Sequence, residues 1–324
     1  MKKIVFLGEK PIKSSPSLEL GNILKTLGYT VIFSENIDHF NTKKFLRQIL
    51  KAKCLIVVDY DITIFRIRQL ALARLLGVPI IRWWVGTDVY NCIHNKELRK
   101  RNYILSKFSL NIVVAGHLRT ELKECNINSI VIPSVTYNER IAQDELNFEK
   151  SILVYMPTNR KDFYNFTLIC KLIERFSNVK FIVVADESHS LKKYSNVVSL
   201  GWVDDMSKVW PHVGCLLRLT EHDGLPRMVI QALRRCKYVI YSWPLYGCWH
   251  VWCFEDCVKY IFKFLNKKDC NKDGPIALKH ILGEVSPEQR YVQTIEHISK
   301  SRFFKITEIT EAIKFLFQYF LFYR

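Results

Sequence analysis

The feature that most constrains this chain is a repeated alternation of short apolar runs with segments of helical periodicity. KKIVFLG ending at Gly8, GYTVIFS from Gly28, CLIVVDYD from Cys54 and VPIIRWW from Val78 read as strands. Between them, Ser17 to Gly28 carries apolar residues at helical spacing, and a second helix is predicted from about Ile64 to Leu76. Strands apolar on both faces belong to parallel sheets covered by helices, so the fold class is α/β. A chain of 324 residues, 49% of them hydrophobic, has material for two cores.

The alternation continues through NIVVAGHLRTELKECNINSIVIPSV, a strand, a helix and a strand, and then breaks. The charge-rich stretch Thr136 to Lys150 separates two apolar runs and marks a domain boundary. SILVYMP, a helix from about Thr167 to Phe176, VKFIVVADE, NVVSLGWV, VGCLLRLT and KYVIYS then repeat the pattern. The expected divisions are 1–140, 150–300 and a terminal helical segment 301–324. The first loop, EKPIKSSPS, has no GxGxxG, which disfavours a dinucleotide-binding dehydrogenase. Asp59 and Asp61 read as turn residues, and His117 as a surface or capping histidine.

Two places carry chemistry. VGCLLRLT is followed by Glu221, His222 and Asp223, a tight turn through Gly224, Leu225, Pro226 and Arg227, and an amphipathic helix. A helix start offers unpaired N–H groups and partial positive charge, so this loop suits a phosphate. Asp223 and Gln231, eight positions apart, would lie about two helical turns apart on one face and reach one ligand bearing phosphate and hydroxyl groups. Gly86, Thr87 and Asp88 follow IIRWWV at the carboxyl end of a strand, where open parallel sheets place ligands. Asp88 there reads equally as a helix cap.

The segment from Asp223 resembles the carboxy-terminal signature of retaining GT-B glycosyltransferases of family 4, EGLPR followed by an apolar run and EAMA. Gly224, Leu225, Pro226 and Arg227 match it, while Asp223 and Gln231 stand where its two Glu would be. Gly86–Thr87–Asp88 resembles that family's HGSD or HGTD turn, with Val85 in place of the histidine, and Pro133 and Ser134 its VIPNGVD turn. Arg160 and Lys161 are the counterparts of its basic phosphate loop at altered spacing, and NVVSLGWV matches its NVxFLGxV strand, making Gly201 and Trp202 candidates on the base side.

The resemblance implies two Rossmann-like domains facing a cleft, with a sugar moved from a nucleotide-diphosphate sugar to a hydroxyl acceptor, with retention. The acceptor would be a carbohydrate or lipid-linked. Asp223 and Asp88 would be the catalytic residues, Asp223 binding a sugar hydroxyl; Gln231 would meet the ribose hydroxyls, and Gly86 and Thr87 the acceptor side. No cofactor and no metal are implied, because Arg160, Lys161 and the helix start at Gly224 and Leu225 would meet the diphosphate's charge. Gln231, Val85 and the altered basic loop also fit a second reading, a GT-B binding protein without turnover.

The formal net charge of +17 favours polyanions: nucleotide diphosphates, an anionic membrane surface or nucleic acid. Nucleic acid ranks last, since no nucleic-acid motif is present. The 10 cysteines are scattered and the amino terminus lacks a signal-peptide order, so free thiols in a cytoplasmic protein are expected. Cys248, His250, Cys253 and Cys257 lack a CxxC pair and read as core or surface residues, not zinc ligands.

The last helix gathers Ile306, Ile309, Ile313, Leu316, Phe317, Phe320 and Leu321 on one face. Its charge-free part, Phe315 to Tyr323, is far short of the about 20 residues that span a bilayer. Such a face can lie peripherally on the inner membrane surface, meet another subunit or pack within its own domain, the last being the commonest use.

Overall fold

A computed structural model describes residues 2–8, 15–34, 42–58, 60–134, 141–300 and 302–322, with the side chains of the last helix described from 306 to 318. Asp59 and the start of the predicted linker lie outside the described residues. Two compact units divide the chain: Met1–Tyr137 with Val285–Arg324, and Asn138–Glu284.

In the first unit the order is β1 (Lys3–Gly8), α1 (Pro16–Thr26), β2 (Thr30–Ser34), α2 (Thr42–Ile49), β3 (Ala52–Val58), α3 (Ile64–Leu75), β4 (Ile80–Trp84), α4 (Thr87–His94), α5 (Lys96–Ser106), β5 (Leu110–Val113), α6 (Gly116–Glu124) and β6 (Ile130–Val131). The strands form one parallel sheet in the order β2-β1-β3-β4-β5-β6. Local chemistry sets the helix starts. Ser15 caps α1 by accepting from the Leu18 N–H at 3.3 Å with Pro16 at the first position, and Thr63 caps α3 by accepting from Arg66 at 3.1 Å.

The second unit holds β7 (Ser151–Tyr155), α7 (Phe166–Arg175), β8 (Lys180–Val184), β9 (Val197–Ser199), β10 (Cys215–Arg218), α8 (Arg227–Arg234), β11 (Tyr238–Tyr241), β12 (Trp249–His250), α9 (Phe254–Leu265) and α10 (Gly274–Leu282). Its sheet is also parallel, in the order β12-β11-β10-β7-β8-β9. Read from β9 inward, that is the 3-2-1-4-5-6 order of a dinucleotide-type doubly wound sheet.

The chain then returns to the first unit as α11 (Pro287–Lys300) and α12 (Arg302–Phe322). The expected second-domain end at 300 therefore moves to Glu284, and 301–324 is no separate segment. Glu296 on α11 accepts from the Tyr29 hydroxyl at 2.6 Å and pairs with Lys53, while Tyr291 donates to the Ile132 carbonyl at 3.1 Å and meets Trp83 edge-on at 5.4 Å.

α12 packs on α3 and adds Ala312, Phe315 and Leu316 to the core around Leu70, Ala71 and Phe108. Its buried face differs from the predicted one, since Ile306 (67% exposed), Ile313 (47%) and Phe317 (69%) face outward. On the inward face Glu308 is buried and pairs with the buried Arg74 of α3 at 2.5 Å, a polar contact that apolar periodicity does not register. Phe320 and Leu321 lie outside the described side chains. Among the described residues no helix is long and apolar enough to cross a membrane.

Candidate functional site

In the second sheet the chain starts in the middle with β7, builds outward through β8 and β9, then returns to the other side of β7 with β10. The loops leaving the carboxyl ends of β7 and β10 therefore diverge, opening the crevice in which doubly wound sheets hold ligands. The two loops are tied by Glu221 N–H donating to the Phe163 carbonyl at 2.9 Å.

Asp223 sits in the β10 loop, and its carboxylate is engaged. Arg218, the last residue of β10, donates Nε to Oδ2 at 2.7 Å, and the Gly224 N–H reaches Oδ1 at 3.0 Å. The Arg218 guanidinium lies 5.4 Å from the ring centroids of both Tyr155 and Tyr164, which meet each other edge-on at 5.4 Å. Burial weighs against its charge, but Asp223 and the surrounding phenols outweigh that and raise its pKa. Tyr241, at the end of β11, is buried, and that burial followed by the charge of Asp223 holds its phenol well above the usual value.

α8 begins at Arg227, with Pro226 as its N-cap and no side chain capping it. The helix start is thus later than predicted at Gly224 and Leu225, because the Pro226 carbonyl accepts from Val229 at 3.1 Å and Ile230 at 3.2 Å. Gln231 is half-buried on the fifth residue of α8, and only the last half of its spacing from Asp223 is helical, so the predicted two-turn alignment does not form.

The β7 loop turns through Thr158–Arg160, where Arg160 is exposed with its guanidinium 4.0 Å over the Phe163 ring. Lys161 points elsewhere, donating to Ser188 Oγ at 2.7 Å and lying 3.6 Å from the fully buried Asp186 carboxylate. Burial alone would raise the Asp186 pKa; hydrogen bonds from Ser188 and Ser190 and the Lys161 charge lower it instead. Lys161 thus fastens the β7 loop to the β8 loop. Gly201, at φ +66°, accepts from the Ala185 N–H at 2.6 Å, and a Cβ there would come within 3.3 Å of the His189 ring. Trp202 is 62% exposed, with its indole N–H on Asp204 at 3.1 Å.

In the first unit Asp88 is turned inward. Its Oδ1 accepts from the N–H groups of Val85 (3.0 Å), Gly86 (2.9 Å) and Val89 (3.0 Å), and Arg82 lies 3.6 Å from Oδ2. Burial pushes its pKa up, against the pull of Arg82 and the N–H donors. Gly86 is the N-cap of α4 at φ +138°, a conformation that strains other residues. The carboxylate therefore braces the β4–α4 turn that carries Gly86 and Thr87.

Solved structures share this architecture. A glycosyltransferase from Rickettsia africae superposes at TM-score 0.70 with 15% identity, over 93% of this chain and 99% of that one. HepE from Anabaena, determined with UDP and glucose, superposes at 0.65 with 12% identity, over 92% and 100%. The fold is GT-B. UDP-GlcNAc 2-epimerase from Methanocaldococcus jannaschii also matches, at 0.55 with 12% identity, over 92% and 100%. No family model and no curated protein matches the sequence.

On this GT-B frame the residues brought to the second sheet's crevice are Arg160, Asp223 and the α8 start with Gly224, Leu225 and Pro226; Gly201 and Trp202 follow β9, beyond β8. Arg218, Tyr155, Tyr164 and Asp186 were not among the sequence candidates. Arg218 had a signal, a lone cation ending an apolar strand. Among the described residues no three His, Cys, Asp or Glu side chains converge to hold a metal.

Proposed function

We propose that this GT-B chain transfers a sugar from a nucleotide-diphosphate sugar to a hydroxyl of a carbohydrate or lipid-linked acceptor, with retention of configuration. The observation that carries the reading is the convergence, at the switch point of the second sheet, of an exposed guanidinium, a helix start without a side-chain cap and a carboxylate. HepE, of the same fold, was determined with UDP and glucose, which supports a nucleotide-sugar ligand.

In this reading the bond from the anomeric carbon to the diphosphate breaks as the acceptor oxygen bonds to the same face, and the acceptor's hydroxyl proton passes to the leaving diphosphate oxygen. Arg160 and the N–H groups at the start of α8 stabilise the charge that develops on the leaving diphosphate. Asp223, held by Arg218, accepts a sugar hydroxyl, and Gln231 meets the ribose diol as a neutral partner. Lys161 acts at one remove, by holding the β7 loop against Asp186. Asp88 supports the acceptor side by bracing the Gly86–Thr87 turn. No cofactor takes part.

Calorimetric titration of UDP, GDP and ADP and their sugar conjugates into the wild type, Arg160→Ala and Asp223→Ala tests this. One nucleotide should bind, about tenfold more weakly without Arg160, with sugar discrimination that depends on Asp223. No binding of any of them defeats the reading. A second reading, nucleotide-sugar binding without turnover, is favoured by the ion pair that occupies Asp223. Transfer or hydrolysis of a bound donor, abolished in Asp223→Ala, separates the two.

A further inference from the structure

The second unit has another concavity, at the opposite edge of its sheet. A pocket of about 570 Å³ is lined by Tyr238 and Trp249, the first residues of β11 and β12, and by the segment that follows α9. Parallel strands put all amino ends on one edge, so this pocket is separate from the crevice at Arg160 and Asp223 and does not rest on the donor reading.

Its walls carry Lys263, Lys267, Lys268 and Lys272 against only Asp269 and Asp273. Two of the ammonium groups make cation–π contacts: Lys263 Nζ lies 5.1 Å from the Trp249 centroid and Lys267 Nζ 5.6 Å from that of Tyr238. Trp249 in turn stacks with Tyr238 (5.0 Å) and with Tyr260 (5.5 Å). The lysine-bearing loop is also built. Buried Asn271 donates its side-chain amide to the Lys237 carbonyl at 3.2 Å and its backbone N–H to the Cys236 carbonyl at 2.7 Å.

We infer that this pocket binds a phosphorylated polyol. The lysines supply point charges for a phosphoryl group, and Asp269 and Asp273 supply acceptors for hydroxyls. A concavity of about 570 Å³ has the size of a small-molecule site. One chemistry has two sources here, a free sugar phosphate or the glycerophosphate headgroup of an anionic lipid.

Two probes decide it: glucose 6-phosphate by calorimetry, and phosphatidylglycerol vesicles against phosphatidylcholine vesicles by co-sedimentation. Both are read on the wild type, Lys263→Gln/Lys267→Gln, Lys268→Gln/Lys272→Gln and Asp269→Asn/Asp273→Asn, with unchanged thermal midpoints as the folding control. The expected result is binding of at least one probe, weakened about tenfold by each lysine pair, with glucose 6-phosphate preferred over inorganic phosphate only while both aspartates are present. Glucose 6-phosphate alone identifies the free ligand, and vesicles alone the lipid headgroup. Absence of binding to both probes, or binding indifferent to all four lysines, overturns the inference.

Discussion

Arg218 Nε and Asp223 Oδ2 stand 2.7 Å apart across the loop that leaves β10, with side chains only 9% and 15% exposed. Removing Arg218 takes the cation away from a largely buried carboxylate. Arg218→Met, which keeps the bulk between Tyr155 and Tyr164, is expected to cost about 3 kcal/mol in urea unfolding. It should also alter sugar discrimination more than nucleotide affinity, because it releases the carboxylate.

Arg160 offers the opposite case. It is exposed and rests on Phe163, so Arg160→Ala should leave unfolding stability within about 0.5 kcal/mol of wild type. A loss of nucleotide-diphosphate affinity without loss of stability, in paired calorimetry and urea titrations, is the expected signature.

Asp88→Asn would turn an amide N–H₂ or a neutral carbonyl toward the N–H donors of Val85, Gly86 and Val89, and remove the carboxylate charge beside Arg82. A destabilisation of about 3 kcal/mol is expected. Gly86→Ala, at φ +138°, should cost about 1–3 kcal/mol by strain alone. Chemical denaturation of both variants checks the bracing role.

Glu296 gives an acid signature. Its hydrogen bonds from Lys53 and Tyr29 hold the carboxyl at about 2, below its ordinary 4.5. A depressed folded-state pKa means the contribution is complete above the ordinary value and is lost as pH falls from 4.5 toward 2. Glu296→Gln should flatten the stability profile in that window and leave it unchanged in shape near neutrality.

Glu308 runs the other way. Burial, opposed by Arg74, pushes its carboxyl up from 4.5 to about 7. The folded state therefore holds this proton more tightly than the unfolded chain, and stability falls as pH rises through that interval. Urea midpoints for Glu308→Gln should lack this decline.

Much of the scaffold was legible because the strand runs are apolar on both faces: β1, β4, β7, β8, β10 and β11 fall within predicted runs, and β3 begins two residues ahead of its run, at Ala52. α5 was not, since Lys96 to Ser106 is dense in charge and shows little apolar period. At the site, the DGLPR turn marked the right loop, but Pro226 delays the helix and breaks the alignment of Asp223 with Gln231. The Arg218 pairing was hidden because one cation in an apolar run does not disclose which carboxylate it meets. Periodicity alone likewise misplaced the α12 face, because an apolar pattern does not register the inward Glu308 that meets Arg74.

The return of α11 and α12 to the first unit also orders events on the ribosome. β1 to β6 emerge before the second unit, yet Tyr291, Ala312, Phe315 and Leu316, which complete their packing, emerge after it. The second unit is one uninterrupted stretch and can close as soon as it clears the exit tunnel. The earlier-made sheet therefore keeps part of its apolar surface uncovered until α11 and α12 have followed the second unit out.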